Sequence, residues 1–586
     1  MKQTCLIHLL TALLFPFMSG RQAVAQEEAG SGGIFILNED WFGHNNSSIN
    51  FLNPVTGQFD YELIKNNGDN GNLSLGCTAQ FGTVYGDNIY IISKQDQDPG
   101  ERSSTGGRVV VADAGTMKIR KHIPVIAGRD GHSLADGRSF VGVDESKGYI
   151  GTSNGIYIFD LAALEIKDSI AGSGNPLITG NEDNADGLGA LYRNQIGMML
   201  RTHDYVFAIQ QDRGVLVINP ETDSIETVIP GCFSTMTQSK DGTVWVGKNS
   251  NRDFQTYPYG NVGSSGEKWE GNQLMKINPE TLETALIDMP VHTGINQTWY
   301  AWTAGSLCAS AKNNRLYFTF NPDKWSWFTC SLLYMYDIDR NTFIQLYDSS
   351  SDDRYFYGAG IRIHPLDDRI YAALYLDNIS QSYFFYRMDS EGEVLDTYEP
   401  IERYWFPAMF IFPDSHPPAV SDFTPVTINA TLPFLLDLSG MASDADNLAA
   451  AITRRVIAND RTDAIAAHVR NNRLIITAKP GQTGEAHITV RFNSNGKTVD
   501  KTLTVHLDTP SDIREVTGHE MHLTAENGTL RISGLPGKTT VRILNLQGKL
   551  LREMEINGTG TVAGLPTGQV YIVRAGTRSL TCLLKN

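Results

Sequence analysis

The chain has 586 residues, 41% of them hydrophobic, with 55 glycines, 23 tyrosines, 25 phenylalanines and a formal net charge of −17. That length exceeds one ordinary domain, and a composition rich in glycine and aromatics, with few long helical patterns, is that of a β-rich protein. The acidic balance, spread without long runs, excludes sequence-independent nucleic-acid binding, which needs a basic footprint, and argues against docking on an anionic membrane surface.

The first element, residues 1–25, reads as an export signal. Lys2 supplies the positive end, Leu6–Phe17 the apolar stretch and Ala23-Val24-Ala25 the cleavage site before Gln26. The stretch is too short for a membrane span and is broken by His8 and Pro16. No other membrane segment is predicted. The mature protein is expected outside the cytoplasm, at the cell surface or secreted, with the periplasm as the alternative. Cys77, Cys232, Cys308, Cys330 and Cys582 remain after cleavage. An odd, widely spaced set is no disulfide framework. Buried small apolar side chains are the expectation, with a Cys308–Cys330 bridge left open.

From about residue 32 to 414 one phrase recurs seven times: strand, polar turn, strand. The copies span Ser47–Ile64, Gly107–Ile123, Gly155–Ile170, Gly214–Ile229, Asn272–Ile287, Leu332–Asp348 and Tyr383–Tyr398, about 56 residues per step. A period above 40 built from short strands predicts a β-propeller, here with seven blades. A second hairpin precedes most copies, with polar turns such as Gly86-Asp87-Asn88 and Lys240-Asp241-Gly242 before aromatic-rich strands. Each blade therefore has strands a to d, and the phrase supplies c and d. Gly33–Leu37 reads as a strand b lacking its a, and Ala408–Phe412 as a strand a lacking its blade. The two are predicted to pair and close the ring.

His416-Pro417-Pro418 marks a linker. Beyond it, 419–508 predicts a β-sandwich of immunoglobulin or cadherin-like size, with an acidic turn at Asp444-Ala445-Asp446-Asn447. Residues 513–586 read as a second small sandwich. The fold class is thus all-β, a seven-bladed propeller followed by two small sandwiches.

Strand order assigns every connection to a face. The a–b and c–d turns are uniformly short, whereas the b–c and d–a connections are long and share the other face. Loop length gathered on one rim is how a scaffold displays a binding site. The candidate ligand-binding residues there are Asn38, Trp41, Gln80, Lys94, Arg193, Gln195, Gln210, Lys248, Trp302, Tyr357 and Trp405. Seven of the eight tryptophans fall near this face, and only Trp245 lies inside a strand. Aromatics with neutral amides suit a large flat ligand, stacked on its face and hydrogen-bonded at its edge. Cobalamin, with its amide-bearing rim, fits that description, and so do glycans.

The sequence has no H-E-x-x-H, Walker loop or C-x-x-C. Histidines are scattered, so no zinc site is predicted. Asp96, Asp98 and Glu101, and Asp444 with Asp446, could offer oxygen ligands to calcium, but solvated turn carboxylates are the plainer reading. No catalytic residue, metal or cofactor is expected. A glycosidase would need paired carboxylates. Glu39, Asp40 and Asp98 lie on the loop face, but nothing in the sequence pairs them.

Two segments resemble known families. Phe35–Gly57, Leu75–Lys94 and Val109–Ile119 resemble the YncE-like propellers of exported Bacteroidota proteins, and among them the BtuG-like surface proteins. That resemblance covers about two-thirds of the chain. It implies cobalamin capture beside an outer-membrane transporter, of the TonB-dependent kind. BtuG-like proteins are lipid-anchored, whereas Cys5 here precedes the apolar run and cannot serve as a lipid-anchor cysteine. Val541–Leu551, Leu565–Arg574 and Cys582–Asn586 resemble the sorting domain of the type IX secretion system, implying an export address. The expectation is an exported, non-enzymatic binding propeller for cobalamin or a similar large nutrient. The alternative is a surface propeller that binds glycans or proteins, and a propeller lyase or glycosidase stands behind both.

Overall fold

The computed structural model describes residues 32–129, 132–178, 191, 193–211, 213–248, 273–290, 293–295, 304–320, 330–376, 381–429, 432–508, 521–526, 528–535, 537–546, 548–576 and 578–584. Two compact units divide the chain at Leu507 and Asp508.

Among the described residues of the first unit, seven four-stranded antiparallel sheets are built from successive strands a to d. Their innermost strands contact one another in a closed cycle, which is the β-propeller the repeat predicts. Strands a to c are mostly buried, as in Val206–Gln210 and Gly214–Asn219, while the outer d strands are half exposed, as in Glu165–Ser169. This gradient explains why the c halves of the phrase are apolar and the d halves are not. The first sheet takes strand a from the far end of the chain. Ile34–Asn38 pairs antiparallel with Pro407–Ile411, bringing Phe35 opposite Ile411.

The repeated phrase is held by its turn. In the first six copies an Asn or Asp ends strand c or directly follows it, and its side chain accepts backbone N–H groups two or three residues on. Asn53, Asp113, Asp160, Asn219, Asn278 and Asp337 all do so. Four residues after each comes a left-handed residue: Gly57, Met117, Leu164, Asp223, Leu282 and Asn341. The seventh turn is one residue shorter, from Asp389 to Gly392. Such side chain-to-backbone turns substitute for missing backbone partners. Asn278 Oδ1 takes Glu280 N at 2.8 Å and Thr281 N at 3.1 Å. Asn278→Ala is expected to cost about 1 kcal/mol, read as a lowered denaturation midpoint with an unchanged m-value. No change would show that water replaces the side chain there.

The first sandwich has one sheet of Val426–Ile428, Lys497–Leu507, Gly484–Ser494 and Thr453–Asn459. Its second sheet has Phe434–Asp437, Arg473–Ala478 and Ile465–Arg470. Ile452, Leu474, Ile476, Ile488, Phe492 and Leu503 fill the space between the two sheets.

This sandwich is seated on the propeller rather than strung from it. Asn495 O accepts Gly86 N at 2.8 Å, and Asn495 Nδ2 donates to Val84 O at 2.9 Å. Asp204 Oδ2 accepts Asn471 N at 2.9 Å, and Glu145 Oε1 accepts Arg491 NH1 at 3.0 Å. All these propeller groups lie in or beside a–b turns, so the sandwich covers the face opposite the long loops. The linker is clasped too, because Asp446 Oδ2 accepts the backbone N–H of Ser415 at 2.8 Å and of His416 at 2.7 Å. A cavity of about 380 Å³ remains between the inner strands and the sandwich, lined by Phe81, Met198, Arg362, Met409, Leu448 and Asn495 among others.

The second unit, Asp508–Asn586, has a three-stranded and a four-stranded sheet with a core of Leu530, Ile532, Val541, Ile543, Tyr571 and Val573. The five cysteines from Cys77 onward form no disulfide among the described residues. Cys308 and Cys330 are buried in one apolar cluster without bridging.

Candidate functional site

The mouth of the propeller on the loop face is built by bulges. In six of the seven described sheets the head of strand a carries extra residues relative to strand b. Gln80 is the extra residue between Ala79 and Phe81, and Arg138 the one between Gly137 and Ser139. A bulge bends the strand and re-aims a side chain.

Neighbouring blades are joined there by polar side chains. Glu39, just past strand Ile34–Asn38, accepts Gln80 Nε2 at 2.8 Å and Tyr357 OH at 3.3 Å, linking three blades. Arg138 Nε donates to Gln195 Oε1 at 2.6 Å, and Gln195 Nε2 reaches Gln211 Oε1 at 3.4 Å. Lys94 stands between these groups, its charge felt by Arg138, Glu39 and Asp136. It makes no hydrogen bond among the described residues and is 9% exposed.

Burial dominates the electrostatics. It raises Glu39 above the usual carboxylate range, against the pull of Lys94 and the bonds from Gln80 and Tyr357. It lowers Lys94 to about 7, with Arg138 pushing the same way and Glu39 opposing. Asp136 is also raised by burial, against Arg138 and Arg108. Two acceptors at the mouth, Asn38 Oδ1 and Gln80 Oε1, are buried without a hydrogen-bond partner among the described residues. Buried polar atoms in that condition call for water or a ligand group.

Beside the mouth lies an aromatic platform. Trp41, 40% exposed, stacks on His44 at 3.6 Å between centroids and meets Tyr404 at 4.3 Å. Phe42 next to it is exposed. The loop is fixed from below by the buried Asp98, whose carboxylate accepts Gly43 N at 2.8 Å and Gly100 N at 2.7 Å. Asp96 pairs with Arg108 at 2.9 Å, and Glu101 Oε1 takes Ser103 N at 2.6 Å. These acids, weighed in the sequence as oxygen ligands, are thus engaged in holding the loop.

The predicted site residues divide accordingly. Asn38, Gln80, Lys94, Gln195 and Tyr357 gather at the mouth, buried. Gln210 is buried and tied to the scaffold, donating to Ser173 O at 2.9 Å and accepting from Arg213 at 3.1 Å. Arg193 is exposed, with its carbonyl taken by Asn175. Lys248 ends strand Val244–Lys248, opposite Phe233 and Gln273. Trp302 lies outside the described residues, as do Tyr257, Tyr259, Trp269, Trp299, Tyr300, Trp325 and Trp327. Trp405 is only 1% exposed and is packed among Tyr357, Tyr375 and Tyr383, so it presents no face for stacking. Asp136 and Arg138 were not among the predicted residues. They could have been found by aligning the heads of the a strands, where Gln80 and Arg138 hold matching places.

A closed ring of four-stranded sheets with a polar, loop-lined mouth defines the protein as a β-propeller with its candidate site on the long-loop face. The chain belongs to the family described as Domain of unknown function (DUF5074), whose model matches residues 32–413. A comparison with curated proteins found no match. Among solved structures, a quinoprotein alcohol dehydrogenase-like protein of Bacteroides thetaiotaomicron is similar at 12% identity and a TM-score of 0.45, over 66% of this chain and 79% of that one. A protein of unknown function from Bacteroides caccae is similar at 10% identity and a TM-score of 0.30, over 65% of this chain and 98% of that one. The extracellular domain of a Bacteroides thetaiotaomicron protein assigned as a hybrid two-component system is similar at 13% identity and a TM-score of 0.35. That match spans 80% of this chain but only 55% of the other.

Proposed function

We propose that this protein is an exported, non-enzymatic binding propeller that captures cobalamin, or a nutrient of similar size and amide content, on its loop face. The observation that carries this reading is the pairing of unpartnered buried acceptors at the mouth, Asn38 Oδ1 and Gln80 Oε1, with the exposed Trp41 platform. Amide N–H groups on a ligand's rim would satisfy those acceptors while a ring surface covers the platform. Glu39 and Asp40 are engaged by Gln80 and Tyr357 and by Arg403, which favours binding over turnover. Delivery to a TonB-dependent outer-membrane transporter and export addressed by the C-terminal unit complete the reading. Titration of the purified protein with cyanocobalamin in a calorimeter is expected to give saturable heat, weakened at least tenfold by Trp41→Ala. Absence of heat at tens of micromolar would overturn the cobalamin assignment. The Trp41–Tyr404 pair also favours a second reading, a glycan-binding surface propeller, since indole rings pack sugar faces. A glycan array with signal that Trp41→Ala abolishes would establish that reading instead.

A further inference from the structure

A second cavity, of about 700 Å³, lies between the short-turn face of the propeller and the first sandwich. That is within the size range of small-molecule sites. Six arginine and lysine side chains and five carboxylates line it, in a chain with a net charge of −17.

Four of the five carboxylates are engaged locally. Glu145 is shared by Arg455 and Arg491. Asp144 Oδ1 accepts Ser146 N at 2.8 Å and Lys147 N at 3.0 Å within its own turn. Asp204 takes Asn471 N at 2.9 Å and faces His203 Nδ1 at 3.0 Å. Glu226 Oε1 accepts Asn219 Nδ2 at 2.6 Å.

Three arginines instead bind neutral acceptors. Arg201 Nε donates to Val143 O at 3.1 Å, and Arg470 NH2 reaches Tyr205 OH at 3.4 Å. Arg454 NH1 donates to Ile452 O at 2.6 Å and to Asn472 Oδ1 at 2.8 Å. Arg454 is 6% exposed, and its buried Nε has no hydrogen-bond partner among the described residues. Burial holds this guanidinium down to about 10, with Asp437 as the opposing charge. His468 stands exposed on the same wall. A buried guanidinium with an unused donor is costly unless an anion completes it.

We propose that this cleft binds a small molecule carrying two or more oxyanion groups, held between Arg454 and Arg470 of the sandwich and Arg201 of the propeller. The ligand would bridge the two domains, and the site is separate from the loop face. Citrate, inorganic phosphate and sulfate serve as probes, each titrated into the full chain by calorimetry and followed by thermal unfolding. Sodium chloride at matched ionic strength is the control, because general screening acts through ionic strength alone. At least one probe is expected to bind saturably and raise Tm above the chloride control. Citrate alone would mark a carboxylated ligand, and phosphate or sulfate a phosphorylated or sulfated one. Arg470→Gln and His468→Ala lie at exposed positions. Together they are expected to weaken that probe at least tenfold while leaving the Tm in chloride unchanged. Three probes that match chloride, or binding unchanged in the double variant, would overturn the proposal. Neither result depends on whether cyanocobalamin binds at the mouth.

Discussion

Trp405→Ala is expected to destabilise the first unit by about 3–5 kcal/mol, the usual cost of emptying a buried aromatic site. The indole is 1% exposed, stacks on Tyr61 at 5.4 Å, lies under Arg403 at 4.5 Å and donates to Ile401 O at 2.9 Å. Its carbonyl accepts Asp40 N at 3.0 Å, continuing the pairing of the two ends of the ring. A cavity at this point therefore loosens the closure itself. Urea unfolding followed by far-UV circular dichroism would measure the loss. Trp405→Phe should recover most of the packing and lack only the hydrogen bond, worth about 1 kcal/mol. An alanine variant within 1 kcal/mol of the parent would show that the closure does not rest on this side chain.

The second large effect depends on pH. Asp40 lies at the same closure, and burial raises its carboxyl to about 7, outweighing Arg403. Arg403 NH2 reaches Oδ1 at 2.9 Å, yet neither carboxylate oxygen receives an aligned hydrogen bond among the described residues. A carboxyl with a folded pKa above its unfolded value holds its proton more tightly when folded. Stability from this group therefore rises as pH falls from about 7 towards 4 and is lost as pH rises through the folded pKa. Across the interval from 3.8 to about 7 the difference is about 4 kcal/mol. Asp40→Asn removes that dependence. The variant is expected to be more stable than the parent at pH 8 and to lose this advantage by pH 4.5, in denaturant titrations at each pH. Parallel pH profiles for the two proteins would show that Arg403 keeps Asp40 ionised.

The scaffold was legible because its signals are local and repeated. The polar turn between two strands recurs in the phrase, so the c–d hairpins could be read from residue types alone, as could the pairing of Gly33–Leu37 with Ala408–Phe412, found as Ile34–Asn38 with Pro407–Ile411. The mouth was only half legible. Strand order places Gln80, Lys94 and Gln195 on the right face. Whether an amide points to solvent or into the scaffold depends on bulges, and nothing in the residue types marks Gln80 or Arg138 as an extra residue in its ladder. Trp405 illustrates the same limit, since a loop tryptophan read as a stacking surface is held inward by Arg403, Tyr61 and Ile401. The seat of the sandwich was not legible either. His416-Pro417-Pro418 reads as a spacer, and only the fold brings Asp446 back onto its N–H groups and Asn495 onto Val84 and Gly86.

The pairing of Phe35 with Ile411 spans 376 residues of chain. The first sheet to emerge during synthesis is thus the last to be finished, and until then strand Ile34–Asn38 presents an unpaired edge. Contacts so distant in sequence form slowly, because loop closure must come before the pairing. A chain that stops short of Pro407 keeps that edge for good, because no truncated copy carries the missing strand. Such truncated chains are expected to self-associate through that open edge, whereas the full chain seals its own ring.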